Sequence, residues 1–293
     1  MDEIRVKNTR YAPRTVTRRT VSAGLLAGLL KLNGSEPPVP WVVYYSDKES
    51  VAAFERYRIL ILDSRYHPPL IELANRGKRL IGYLSVGEVS PDYTYFAALE
   101  QEGLLAAPRP AWPGNRIVDL RDERWCARLC DSIIPAILQS GFHGLFLDTL
   151  DSALHLETVY SSEFSGMSDA AVNLIRKIRE RFPRATLAIN RAYSLLERLA
   201  SDLDIAVGES VFSTYDFARK VYCLVNSEAY EMQVKWLRAA VQRNRKLGAF
   251  TLDYWNATDT GGVQAIYRVQ RENGFSPYVA TIDLTTLVSE SGR

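Results

Sequence analysis

Carboxylate and amide side chains follow short apolar runs at intervals through this sequence. In chain order they are Asp63, Glu88, Asp148 with Asp151, Asn190, Glu209, Asp253 and Asp283. Carboxylates that converge raise each other's pKa, so that one can stay protonated as a general acid while its neighbour stays ionised. Asp is also a favoured helix cap, and this simpler role explains one or two of the acidic residues, Asp283 above all.

Other chemistries lack the residues that they need. No apolar run ends in Lys, which disfavours a Schiff-base aldolase, and His67, His143 and His155 show no paired metal-ligand spacing. The sequence contains neither a G-x-S-x-G elbow nor a G-x-x-x-x-G-K-[ST] loop. We therefore expect no metal and no cofactor. Acid–base chemistry by carboxylates remains, and its leading case is glycoside hydrolysis, in which two carboxylates flank the scissile bond.

Aromatic residues accompany these polar positions at or beyond the ends of the runs. They are Tyr44, Tyr45, Tyr83, Tyr93, Tyr95, Trp112, Tyr254 and Trp255. Aromatic faces offer a sugar ring a large apolar contact at low entropy cost. Because aromatic residues fill cores equally well, about half of the set is expected in a cleft.

Eight apolar runs must position these side chains. They span residues 41–45, 59–63, 80–86, 144–148, 186–190, 204–209, 248–253 and 278–283. Continuous rather than alternating apolar runs are typical of parallel strands that are buried on both faces. Eight such βα units in roughly 250 residues predict an α/β fold, a (β/α)8 TIM barrel with its active site at the carboxyl ends of the strands. A doubly wound sheet is the alternative, but no G-x-G-x-x-G turn follows the first run.

The connections between runs differ in length. Ser46 to Glu49 form a capping-box pattern that predicts a helix after the first strand. One long helix is expected at about 124–140, ended by Gly141, and loops are expected up to Ser168 and Asn226. Residues 87–120 predict a long loop insertion after strand 3, which we expect to form a cleft wall or lid.

The chain of 293 residues is 47% hydrophobic, and its net charge of +2 gives no reason to expect nucleic acid as a partner. Arg18 and Arg19 precede the uncharged run Ser22–Leu30, which is too short to span a membrane. This pattern resembles a twin-arginine export signal, and an amphipathic helix or a disordered arm is the alternative. We therefore divide the chain into an export signal and linker, residues 1–38, and one domain, residues 39–293. We expect an exported protein, periplasmic or extracellular, with no membrane span in the mature chain.

Four segments together carry a family resemblance. They are Trp41–Tyr45, Ile81–Glu88, the string Gly141-Phe-His-Gly-Leu-Phe-Leu-Asp-Thr-Leu-Asp151, and Gly208-Glu209. The chain resembles glycoside hydrolase family 114 over about residues 40–288. This family is described as endo-α-1,4-polygalactosaminidase. Gly208 departs from the pattern, because a larger polar residue is expected before the Glu of strand six.

The resemblance implies a barrel that cleaves α-1,4-linked galactosamine polymers with Asp148 and Glu209 as its catalytic pair. Asp148 is expected to be the nucleophile or general base, and Glu209 the general acid. The residues expected to line the sugar subsites are Tyr45, Asp63, Tyr83, Glu88, Asp151, Asn190, Asp253 and Trp255. A mouth rich in carboxylates would concentrate a cationic amino-sugar polymer. A carbohydrate-binding barrel without catalysis and a hydrolase of another glycan are the alternatives.

Overall fold

The structure is a computed structural model that describes residues 38–106 and 114–290. The predicted export signal and linker lie outside the described residues except for Pro38, and Trp112 lies outside them too. Within the described part, no helix has the length and hydropathy that a membrane crossing requires.

Eight parallel strands form one sheet in which spatial order follows chain order. They are β1 (Trp41–Tyr44), β2 (Ile59–Leu62), β3 (Arg79–Ser85), β4 (Gly144–Asp148), β5 (Thr186–Asn190), β6 (Ile205–Glu209), β7 (Gly248–Tyr254) and β8 (Ser276–Ala280). Nearly all of their residues are buried on both faces, as continuous apolar runs predict. The barrel prediction is confirmed, with β8 beginning two residues earlier than the sequence suggested.

Side chains bring the two ends of this sheet together. The indole Nε1 of Trp41 donates to the carbonyl oxygen of Ser276 at 2.9 Å, and the backbone N–H of Val39 donates to Ser276 Oγ at 2.9 Å. The Trp41 ring lies 5.0 Å from that of Phe250 inside the barrel. The sheet is therefore a nearly closed barrel with a packed interior.

Helices cover the outside of the barrel. They are α1 (Leu70–Asn75), α2 (Phe96–Gln101), α3 (Glu123–Arg128), α4 (Ile134–Gln139), α5 (Leu150–Val159), α6 (Ser161–Phe164), α7 (Met167–Arg181), α8 (Tyr193–Leu199), α9 (Ser227–Arg243) and α10 (Thr260–Glu272). Asn226 and Asp259 cap α9 and α10 by accepting N–H bonds from Ala229 and Gly262.

Two local predictions are wrong and one is confirmed with a local irregularity. The capping-box segment leads only to a short 3-10 helix, Val51–Phe54. The long helix predicted at 124–140 is confirmed, because α3, a π-helical turn at Leu129–Ile133 and α4 follow one another without a break; Pro135, which has no N–H to donate to the preceding turn, accounts for the π-helical turn. Helices α5 and α6 occupy the stretch after β4 where a loop was expected.

Two excursions leave the carboxyl end of the barrel. After β3, strand Glu88–Val89 pairs antiparallel with Arg116–Ile117, and α2 lies between them. This is the predicted insertion. After β6, strand Ser213–Asp216 pairs antiparallel with Val221–Leu224. Only a loop was predicted there. We call this second excursion, residues 213–224, the β6 hairpin.

Candidate active site

The ends of the adjacent strands β4, β5 and β6 bring three polar side chains together. The amide Nδ2 of Asn190 donates to Asp148 Oδ1 at 2.8 Å and to Glu209 Oε2 at 2.5 Å. Because one nitrogen holds both oxygens, their separation cannot exceed the two distances combined, about 5.3 Å. The two expected catalytic carboxylates are thus a close pair bridged by one amide.

Tyrosines surround this pair. The Tyr254 hydroxyl, at the end of β7, donates to Glu209 Oε1 at 2.6 Å. Burial and the charge of Glu209 raise the pKa of Tyr254 well above its ordinary value, so the phenol keeps its proton and remains a donor. Tyr45 and Tyr83 lie beside Asp148 with ring centroids 5.2 Å apart. Burial and the Asp148 carboxylate raise the pKa of both phenols.

The charge state of Asp148 follows from this crowding. Burial and then the charge on Glu209 raise the pKa of Asp148 to about 6, against the opposing hydrogen bond from Asn190. The carboxylate pair therefore holds a proton in mildly acidic solution. A close pair that shares a proton has the acid and the base that glycoside hydrolysis requires.

Thr149 fixes the backbone beside Asp148. Thr149 has a φ of 66°, in the left-handed region that a β-branched residue seldom adopts. Its Oγ1 accepts the N–H groups of Gly87 at 2.9 Å and Glu88 at 3.0 Å. A Cβ at Gly87 would overlap the carbonyl oxygen of Thr149, so glycine is required at this close approach. The insertion after β3 is thereby anchored to the end of β4.

Two of the predicted subsite residues do not line the cleft. Glu88 has no exposed area and accepts hydrogen bonds from Ser152 Oγ and from Asn115 Nδ2, the latter at 3.1 Å. It ties the insertion to α5. Asp253 also has no exposed area, so neither carboxylate can reach a sugar. The expectation that all the strand-end acids converge on the mouth is wrong for these two residues.

Asp253 instead supports the start of the β6 hairpin. Its Oδ1 accepts the N–H groups of Phe212 at 2.7 Å and Ser213 at 2.9 Å, and its Oδ2 accepts Gln270 Nε2 at 2.6 Å. Burial raises the pKa of Asp253 to about 6, and these three donors oppose the rise. Successive strand residues point to opposite faces, so Tyr254 enters the mouth while Asp253 points toward α10.

The rim carries charges of both signs. Asp63 is half-buried, and its Oδ1 accepts the N–H groups of Arg65 at 2.7 Å and Tyr66 at 3.0 Å. The charge of Asp63 still contributes to the raised pKa of Tyr45. Asp151 lies near Asp148 and pairs with Arg191 at 3.5 Å. These acids remain candidates for binding substrate, although two arginines moderate their field.

The other predicted positions have simple explanations. Trp255 lies at the rim, away from Asp148 and Glu209. Its indole Nε1 donates a hydrogen bond to Asp259 Oδ2 at 2.9 Å. Asp283 accepts Thr285 N–H at 3.0 Å and stabilises a turn rather than a helix end. At Gly208, a Cβ would collide with Val211 and Leu237, so packing explains why this position departs from the expected polar residue.

Sequence reasoning gave no role to three residues that shape the site. Tyr254 was noted only as one aromatic among several, and the alternation of side chains along β7 is the signal that would have set it apart from Asp253. Thr149 and Arg191 carry no sequence signal, because their backbone conformations, with φ of 66° and 50°, depend on the folded loops. Among the described residues there is no cluster of three or more His, Cys, Asp or Glu side chains suited to a metal.

A parallel eight-stranded barrel with a bridged carboxylate pair at the carboxyl ends of its strands has the architecture of a glycosidase. The chain belongs to the glycoside-hydrolase family GH114, whose sequence model matches residues 35–292.

Solved structures share the fold. The glycoside hydrolase domain of PelA from Pseudomonas aeruginosa is 24% identical, with a TM-score of 0.75 over 87% of this chain and 99% of that domain. Aspergillus fumigatus Ega3, solved in complex with galactosamine, is 13% identical, with a TM-score of 0.63 over 86% of this chain and 96% of Ega3. The α-galactosidase TtGalA from Thermus thermophilus is 13% identical, with a TM-score of 0.51 over 84% and 58% of the two chains. No curated protein sequence matches this chain significantly.

Proposed function

We propose that this glycoside hydrolase cleaves within α-1,4-linked, galactosamine-containing polysaccharide and retains the anomeric configuration. The observation that carries the proposal is the Asn190 amide, which holds oxygens of Asp148 and Glu209 within about 5.3 Å of each other. Retaining glycosidases have their carboxyl groups about 5–5.5 Å apart, whereas inverting enzymes need roughly 6.5–9.5 Å for a water molecule.

In the proposed mechanism, Asp148 attacks the anomeric carbon while Glu209 gives its proton to the departing glycosidic oxygen. This step breaks the glycosidic bond and forms a glycosyl ester on Asp148. Glu209 then removes a proton from water, which attacks the ester and frees both the sugar and the Asp148 carboxylate. Because the pKa of about 6 at Asp148 marks the loss of the proton that the pair shares, activity is expected to fall as pH rises above that value and the general acid is lost.

The electrostatics of the mouth support a cationic sugar. Asp63, Asp151 and the catalytic pair outnumber the two nearby arginines, so the field of the mouth is negative on balance. Ega3, a structure with the same fold, was solved in complex with galactosamine.

The test is product release from purified, partly deacetylated α-1,4-galactosamine polymer by the wild type, Asp148→Asn and Glu209→Gln. We expect oligosaccharides from the wild type only, with newly formed α-anomeric ends in the proton NMR spectrum. Initial β-anomers would contradict retention. Binding of the polymer without any release, by a protein shown to be folded, would favour a carbohydrate-binding barrel. Activity on a different glycan alone would overturn the proposed substrate.

We also propose that the protein is exported, on the basis of Arg18, Arg19 and the apolar run Ser22–Leu30. A polymer outside the cytoplasm would then be accessible to it. Fractionation of cells that express the chain with Arg18→Lys and Arg19→Lys, beside the wild type, tests this. An unchanged distribution between the cell fractions would contradict twin-arginine export.

A further inference from the structure

Three aromatic residues of the β6 hairpin and Trp255 form a row of rings at the rim of the barrel, and bond cleavage uses none of them. The row begins at the rim with Trp255, the residue after the end of β7. From Trp255 it runs to Tyr222, Tyr215 and Phe217, with successive ring centroids 6.5, 5.0 and 5.2 Å apart. A continuous row of rings therefore leads from the rim at the end of β7 to the tip of the hairpin.

The rings belong to one face of the hairpin. Tyr215 is the cross-strand partner of Tyr222, so the two side chains share a face, while Val221 points to the opposite face. The Tyr222 hydroxyl accepts the N–H of Ile282, beyond the end of β8, at 3.2 Å. The aromatic face consequently contacts the residues that follow the carboxyl ends of β7 and β8.

The hairpin is a firmly held element. Asp253 binds the N–H groups of Phe212 and Ser213 at its base, and Val225 N–H donates to the carbonyl of Phe212 at 2.9 Å. Phe217 nevertheless keeps 57% of its surface exposed at the tip. An exposed aromatic ring on a fixed support is suited to stacking, because little conformational freedom is lost when a ligand binds.

We propose that the aromatic face of the β6 hairpin binds sugar units of the polymer beyond the bond that is cut, by stacking on the apolar faces of their rings. The inference rests on the proposed function, because it concerns the same polymer. Arg219 and Lys220 lie exposed at the tip, so ring stacking rather than attraction for an ammonium group supplies the affinity there. The hairpin would make the enzyme favour long chains over short ones.

The test compares Phe217→Ala with Val221→Ala, a matched control that removes an exposed apolar side chain from the opposite face. Aromatic stacking of about 0.5–1.5 kcal/mol corresponds to roughly two- to tenfold in affinity. We expect Phe217→Ala to raise KM for the galactosamine polymer by about that factor, with kcat unchanged. KM for the shortest oligosaccharide that is still cut should not change. Val221→Ala should match the wild type on both substrates.

The same variants in an Asp148→Asn background separate binding from catalysis. Affinity electrophoresis in a gel containing the polymer should show weaker retardation for the Phe217→Ala double variant than for Asp148→Asn alone. Equal retardation, or an equal KM for the polymer in Phe217→Ala and the wild type, would overturn the hairpin proposal while the wild type still cuts. If the wild type releases no product, the proposed function fails, and retardation in the gel still decides whether the hairpin binds the polymer.

Discussion

Asp148 and Asp253 are two aspartates at barrel strand ends, both with a pKa raised to about 6 by burial, but their surroundings differ. Around Asp148 are a second carboxylate, a bridging amide and the phenols of the mouth. Around Asp253 are two backbone N–H groups and a glutamine amide, and no surface is exposed. A raised pKa therefore reports burial, and the neighbouring groups decide whether the carboxylate takes part in chemistry or supports a loop.

The largest expected effect is the contrast between Asp148→Asn and Asp253→Asn. Asp148→Asn removes the proposed nucleophile, so kcat on the polymer should fall by about three orders of magnitude or more, with little change in fold. Asp253→Asn should keep kcat within about tenfold and lower the free energy of unfolding by roughly 1–3 kcal/mol, because an amide donor replaces an acceptor opposite Gln270. Initial rates and urea unfolding measure both. Comparable losses of kcat in the two variants would break the contrast.

An intermediate effect is expected at Asn190, which contacts both Asp148 and Glu209. Asn190→Ala removes the donor that holds Asp148 and Glu209 in position, so kcat should fall by about 100-fold or more. Steady-state kinetics on the polymer, with circular dichroism and a melting curve to verify folding, make the measurement. A variant with wild-type kcat would show that the bridge is not needed to position the pair.

The smallest expected effect is a pH dependence of stability. Asp253 has a pKa of about 6 in the folded chain, against about 3.9 for an unfolded aspartate. Between these values the folded state binds more protons, so the contribution of Asp253 to the free energy of unfolding falls as pH rises from about 4 to 6. Asp253→Asn lacks this titration, so its stability relative to the wild type should improve by roughly 2–3 kcal/mol over that window.

Urea unfolding of both proteins at pH 4 and pH 7 gives the comparison. Other carboxylates affect both proteins alike, so only the difference between the two is informative. A difference that does not vary with pH would mean that Asp253 is ionised throughout, and the parallel with Asp148 would then be limited to burial.

Much of the barrel was predictable because its signals are local. Each strand is a continuous apolar run, and the strand order follows chain order, so the ends of β4, β5 and β6 had to be neighbours. The grouping of Asp148, Asn190 and Glu209 followed from that topology. The predictions failed in the connections, where α5 and α6 replace an expected loop and residues 213–224 pair as a hairpin.

The sequence by itself determined which residues stand at the strand ends and that several of them are carboxylates. Only the tertiary structure decided which carboxylates face the mouth. The physical reason is that a strand buried on both faces is apolar at every position. Its sequence lacks the alternation of polar and apolar residues that would show which side chains point into the barrel. Asp253 and Tyr254 are neighbours on β7, and their side chains point to opposite faces of the strand. The Tyr254 hydroxyl is therefore bonded to Glu209, whereas Asp253 is buried against α10.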